Sequence, residues 1–101
     1  MDAFVVISRF RVANGTSQEV RDAFLARPHL VDDVSGFEGM EVLSPTGDSD
    51  EFWLLTRWKD EPSYRSWHHG HAYRESHKGI PQGLKLDASR TAIMTFKSFA
   101  S

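Results

Sequence analysis

The sequence predicts an α+β fold: a four-stranded antiparallel sheet carrying two helices on one face, in the order strand, helix, strand, strand, helix, strand. Three observations lead there. Four stretches are rich in β-branched and aromatic residues, two intervening segments open with helix-start signals, and the third strand stretch is apolar at both parities.

The first strand runs from Phe4 to Val12, where Arg9 and Arg11 alternate with Phe10 and Val12. Asn14-Gly15 ends it, and Thr16 stands three residues before Glu19 in the capping-box arrangement, so a helix is expected to start there. Its apolar positions Val20, Ala23, Phe24 and Leu30 face a sheet, Arg21 and Asp22 face water, and Pro28 distorts or ends the segment. Ser35-Gly36 breaks the chain before a second strand, Phe37 to Leu43, and Pro45-Thr46-Gly47-Asp48 forms a turn. The third strand, Glu51 to Trp58, needs cover on both faces. Asp60 caps a second helix with Pro62 in its first turn, where the missing amide hydrogen costs nothing, and this helix carries Tyr64 and Trp67 as far as Gly70. A short helix over about 71–78, a loop over 79–83 and a last strand from Ala88 to Phe99 complete the chain. This is the ferredoxin-like order β-α-β-β-α-β. It leaves one sheet face bare, and the simplest cover is the same face of a second copy, giving a dimeric α/β barrel.

With 101 residues, one domain spanning 1–101 is expected, and the apolar share of 40% with 12% aromatics belongs to a folded chain. A net charge of -2 without long runs of either sign gives no nucleic-acid footprint and no polybasic membrane signal. The absence of cysteine excludes disulfides, thiolate metal sites and cysteine nucleophiles and suits a cytoplasmic protein. Phe4-Val5-Val6-Ile7 is too short for a signal peptide or a membrane span, so a soluble, unprocessed chain is expected. No repeat, linker or low-complexity segment interrupts it.

Four of the five histidines lie between His68 and His77. Imidazole ligates metals and shuttles protons at neutral pH, yet without a carboxylate at zinc spacing such a cluster more often forms a polar helix rim, the reading given to His68, His69 and His71. His77 differs through its relation to Trp67. In an unbroken helix, ten residues would set the two about 15 Å apart along the axis and roughly 80° around it. A break at Gly70 lets an imidazole and an indole flank one flat slot, with Phe24 as an apolar wall, a shape suited to a planar ligand carrying an imidazole-bindable iron. Core packing is the plainer role for Trp67 and Phe24.

Asn14-Gly15-Thr16, Gly36-Phe37-Glu38-Gly39-Met40, Leu55-Thr56-Arg57-Trp58-Lys59 and Tyr64 to Lys78 together give the chain a resemblance to the antibiotic biosynthesis monooxygenase (ABM) superfamily over almost its whole length. The pair Trp67 and His77 narrows the likeness to the IsdG-type haem-degrading monooxygenases, which have a tryptophan and a histidine at the matching positions. The resemblance implies a homodimer of ferredoxin-like subunits, one haem per subunit as both substrate and cofactor, an external reductant or reductase, and oxygen-dependent opening of the porphyrin with release of iron. It implies that His77 is the proximal iron ligand, that Trp67 presses on the macrocycle, that Phe24 lines the pocket and that Arg27 pairs with a haem propionate, although Arg27 also reads as a plain surface arginine.

One position departs from the family pattern. Haem-degrading members place an asparagine in the first strand as a distal hydrogen-bond donor, and the register set by Asn14-Gly15-Thr16 puts Ser8 there, a shorter donor that rotates freely. This puts turnover in doubt. Two alternatives therefore stay open: a cofactor-independent monooxygenase acting on a quinol or polyphenol with His77 as general base, and a non-catalytic haem-binding dimer.

Overall fold

In the computed structural model, residues 3–26, 30–69 and 83–100 are described. Arg27, Pro28, Gly70, His71, His77, the expected short helix and most of the 79–83 loop lie outside them. The elements are β1 (Ala3–Arg11), α1 (Ser17–Leu25), β2 (Phe37–Leu43), β3 (Glu51–Trp58), α2 (Glu61–His68) and β4 (Ala92–Ser98), with 3₁₀ turns at Leu30–Asp33 and Ala88–Arg90. The four strands form one antiparallel sheet in the order β2-β3-β1-β4. That is the ferredoxin-like α+β arrangement read from the sequence.

Strand alternation assigns the faces. In β1, Phe4, Val6, Ser8 and Phe10 point to the helices, and their cross-strand partners Trp58, Thr56, Leu54 and Phe52 in β3 share that face. Two separate clusters fill it. Phe4, Val6, Trp58 and Tyr64 form one beneath α2, joined by Val34, Phe37, Met40 and Trp67. Val12, Val20 and Phe52 form the other beneath α1, joined by Phe10, Phe24 and Leu84. Trp58 and Phe52 have almost no exposed surface, so each helix is seated on a large aromatic from β3.

The opposite face is uncovered by this chain's described helices. It carries Val5, Ile7 and Arg9 of β1, Trp53 and Leu55 of β3, and Met94 and Phe96 of β4. Trp53 and Leu55 stay half-buried there, and Phe96 is 46% and Leu43 43% exposed. The apolar residues of β3 at both parities reflect this arrangement: one set is packed under the helices and the other lines the open face.

Local chemistry explains both the agreements and the departures. Asp60 caps α2 as expected, accepting from the Ser63 backbone N–H at 2.9 Å and from the Ser63 hydroxyl at 2.6 Å. These two bonds, the hydroxyl's first, hold its carboxyl below the ordinary carboxylate range. The capping box at Thr16 does not form: Thr16 is the N-cap of α1 without a side-chain cap bond, because its hydroxyl donates to Asn14 Oδ1 at 2.9 Å. Arg21 is not simply solvated either, since it donates to the Ser49 carbonyl at 3.0 Å and lies over the Phe52 ring. Helix α1 ends at Leu25, and Leu30 opens a separate turn instead of extending the helical stripe. The last strand starts at Ala92, four residues later than expected, because Asp87 accepts from the Ser89 N–H and hydroxyl and closes a turn first.

The chain before β4 is stitched to the end of β1. Val12 bridges Leu86, the Ala13 N–H donates to Lys85, and Asn14 Nδ2 donates to the Gly83 carbonyl at 2.6 Å. Among the described residues, no helix is long and apolar enough to cross a membrane.

Candidate functional site

Ser8 sits between the two clusters. Going along β1 on the helix-facing side, Phe4 and Val6 belong to the α2 cluster and Phe10 and Val12 to the α1 cluster, with Ser8 in the interval. Across the sheet, register places Ser8 in one row with Val42, Leu54 and Ile93. This row lies on the side that carries the helices, yet Val42 is 37% and Ile93 62% exposed. Its central members Ser8 and Leu54 are half-buried, and among the described residues the row belongs to neither helix's cluster. The result is a strip of sheet, apolar except for one hydroxyl, bordered by aromatic walls.

Phe24 belongs to the wall on the α1 side. Its ring lies 6.3 Å from Phe10 and 6.1 Å from Phe52, and those two stack at 5.5 Å with 20° between planes. Trp67 belongs to the wall on the α2 side, 5.3 Å from Trp58 and 6.2 Å from Tyr64. Trp67 and Tyr64 are three apart on α2 and so project from one side of the helix. The structure therefore puts Phe24 and Trp67 in different clusters on the helix-bearing face, with Ser8 at the interval between those clusters along β1. His77 and Arg27 lie outside the described residues.

Of the remaining histidines, His68 is half-buried with its ring 5.5 Å from Tyr64, and His69 is exposed at the C-cap of α2. Among the described residues, no group of three or more metal-ligating side chains converges. The carboxylates with lowered pKa sit away from the strip, at turns, caps and strand ends. Glu51 is the most enclosed: the Trp53 indole N–H at 2.9 Å and the Arg90 guanidinium at 3.0 Å hold its carboxyl below the ordinary range, in that order of effect.

Sequence reading missed three residues behind the walls. Phe10 and Phe52 are direct cross-strand partners that back Phe24, and Thr56 accepts the Trp58 indole N–H at 2.9 Å. Parity within each strand could have placed these residues on one face. The inter-strand register that joins them could not be read that way.

An interval of this kind can hold a flat, largely apolar ring between an indole and a phenyl wall, with one hydroxyl beneath it. The described part of the site supplies apolar and aromatic side chains and one hydroxyl, a chemistry compatible with a flat apolar ligand such as a porphyrin; the iron ligand expected from sequence, His77, is not among the described residues.

Comparison with known proteins places this geometry in a family. A haem oxygenase (mycobilin-producing) of Mycobacterium tuberculosis (strain CDC 1551 / Oshkosh) is 28% identical over 68 residues, which is 67% of this chain and 65% of that protein. Among solved structures, the haem-degrader MhuD of M. tuberculosis, with two haems bound in its active site, superposes with a TM-score of 0.77 at 22% identity, covering 97% of each chain. SnoaB, a cofactor-independent oxygenase from Streptomyces nogalater, superposes with a TM-score of 0.70 at 14% identity over 100% of this chain and 95% of that one. At such identities the superpositions establish the fold alone. The family profile for antibiotic biosynthesis monooxygenases matches residues 3–79, a span holding both helices, three of the four strands, Ser8, Phe24 and Trp67, so the chain belongs to the antibiotic biosynthesis monooxygenase family.

Proposed function

We propose that the protein is an IsdG-type haem-degrading monooxygenase, a homodimer that binds haem between Trp67 and Phe24 and opens the porphyrin with O2 and an external reductant or reductase, releasing iron. The observation that carries this reading is the strip between the two aromatic clusters, which among the described residues belongs to neither, with Ser8 as the polar group in its row. The mycobacterial haem oxygenase supports it from the sequence side.

In this reading His77 ligates the iron through an imidazole nitrogen, and Arg27 pairs with a propionate. Bound haem supplies the oxygen activation, and the protein supplies ligation, shape and exclusion of water. Trp67, backed by Trp58, presents a rigid indole to one part of the macrocycle and crowds it. Phe24, backed by Phe10 and Phe52, keeps the other end apolar. The Ser8 hydroxyl would supply a hydrogen-bond donor within the strip, with a shorter reach than a carboxamide has.

A second copy completes the molecule by covering the open sheet face. Ile7, Trp53, Leu55 and Phe96 would pack in that interface. Arg9 lies on the same face, its guanidinium over the Trp53 ring, so that interface would also hold a cation stacked on an aromatic.

The test is turnover. Haem added to the apo-protein should give a saturable Soret shift, with one haem per subunit, and the complex should bleach under oxygen with ascorbate while a chelator collects iron. A complex that forms and stays spectrally unchanged makes the protein a haem-binding dimer without catalysis. Failure to bind haem together with oxygen uptake on a quinol would replace this reading with cofactor-independent oxidation.

A further inference from the structure

Trp67 is held in place from behind. Trp58, with 0% exposure, contacts three rings: Phe37 at 5.3 Å and 75°, Tyr64 at 5.7 Å and 69°, and Trp67 at 5.3 Å and 35°. Its only polar atom, the indole Nε1–H, donates to Thr56 Oγ1 at 2.9 Å. Thr56 is buried on the same face of β3, two residues earlier, and its hydroxyl donates to the Val6 carbonyl at 3.4 Å. A buried indole N–H needs an acceptor, so this bond selects one orientation of the ring over the flipped one. The flipped ring would present a different edge to Trp67.

We propose that Thr56 and Trp58 are positioning residues for the pocket indole: the Thr56 hydroxyl fixes the plane of Trp58, and Trp58 fixes the plane of Trp67. Neither need touch the substrate. Resting on the haem reading, this names the part of the chain that sets how hard, and at what tilt, Trp67 bears on the macrocycle. Thr56-x-Trp58 achieves it because residues two apart on a strand share a face and because the threonine oxygen can accept from a side chain while donating to backbone.

The test uses Thr56→Val, which keeps the shape and removes the acceptor, and Thr56→Ser, which restores it. One readout needs no haem. Two indoles at this spacing give an exciton couplet in the circular dichroism of the apo-protein, identified as the signal that Trp67→Phe abolishes. Thr56→Val should lose at least half of that couplet, and Thr56→Ser should keep it. The second readout is the Soret maximum of the haem complex, which Thr56→Val should move towards the position seen for Trp67→Phe while Thr56→Ser leaves it at the wild-type value. A cooperatively folded Thr56→Val with the wild-type couplet overturns the proposal. If the couplet depends on Thr56 while wild-type protein binds no haem, the positioning of Trp67 stands and the haem reading fails. Should Thr56→Val not fold, Trp58→Phe takes its place in the haem readout: a Soret maximum unchanged from wild type overturns the proposal, and one displaced towards that of Trp67→Phe supports it.

Discussion

Replacing Gly36 with alanine probes how α2, and therefore Trp67, is seated. Gly36 precedes β2 with φ +86°, in the left-handed region, and a Cβ there would fall on both the Cβ and the Oγ of Ser63 in the first turn of α2. The backbone has little room to retreat, because the Gly36 carbonyl accepts the Lys59 N–H at 2.7 Å. Two costs add. Left-handed backbone costs a non-glycine residue about 1–2 kcal/mol, and forcing atoms into a packed contact costs about 1–3 kcal/mol more. Gly47→Ala is the control: its φ is +88° with nothing within 4 Å of the new Cβ, so it carries only the first cost. Urea unfolding followed by far-ultraviolet circular dichroism and tryptophan emission, compared at constant slope, should put Gly36→Ala roughly 2–5 kcal/mol below wild type and Gly47→Ala about 1–2 kcal/mol below. Adding Ser63→Gly to Gly36→Ala should recover part of the difference as a coupling energy. Equal losses in the two glycine variants would refute the close seating of α2 against the start of β2.

Three further outcomes are expected. Phe96→Glu places a charge on the open sheet face, where Phe96 is 46% exposed; if wild type sediments as the proposed homodimer, this variant should sediment as a folded monomer, and a variant that stays dimeric would move the interface elsewhere. Glu51 has a lowered pKa in the folded state, so the unfolded state binds more protons as pH falls: its contribution is present above the ordinary carboxylate range and is lost on acidification through that range towards the folded value. Glu51→Gln keeps an oxygen for the Trp53 N–H but offers no charge to Arg90, and its stability should fall less steeply in acid than that of wild type. Ser8→Asn should accelerate haem bleaching in oxygen and ascorbate, if the shorter hydroxyl limits turnover; an unchanged rate removes Ser8 from that role.

Much of the fold was legible because its signals are local. β2 and β3 begin and end where their composition changes, and Asp60 and Pro62 mark the start of α2 within four residues of chain. The start of α1 was read at the right place, Thr16, but not the bonds that make it. Thr16 and Glu19 have capping-box spacing, but the Thr16 hydroxyl is taken by Asn14, whose own amide is tied to Gly83 far along the chain. Ser8 was singled out only through the family register set by Asn14-Gly15-Thr16; the structure puts it on the helix-bearing face with Phe4, Val6 and Phe10. Its place between two clusters depends on the register that pairs Phe10 with Phe52 and Phe4 with Trp58, which sequence alone does not specify. Likewise, Thr56 and Trp58 were visible as residues of one strand face, whereas the stacking of Trp58 on Trp67 needs β3 and α2 to be packed together. His77 and Arg27 rest on family resemblance, since both lie outside the described residues.

The most direct measurement is a haem titration of the apo-protein followed at the Soret band, run in parallel on wild type and His77→Ala. Wild type should saturate at one equivalent per subunit with the spectrum of imidazole-ligated iron, and His77→Ala should lose that spectrum while keeping its fold. Identical titrations for the two proteins, or none for wild type, would contradict haem ligation by His77.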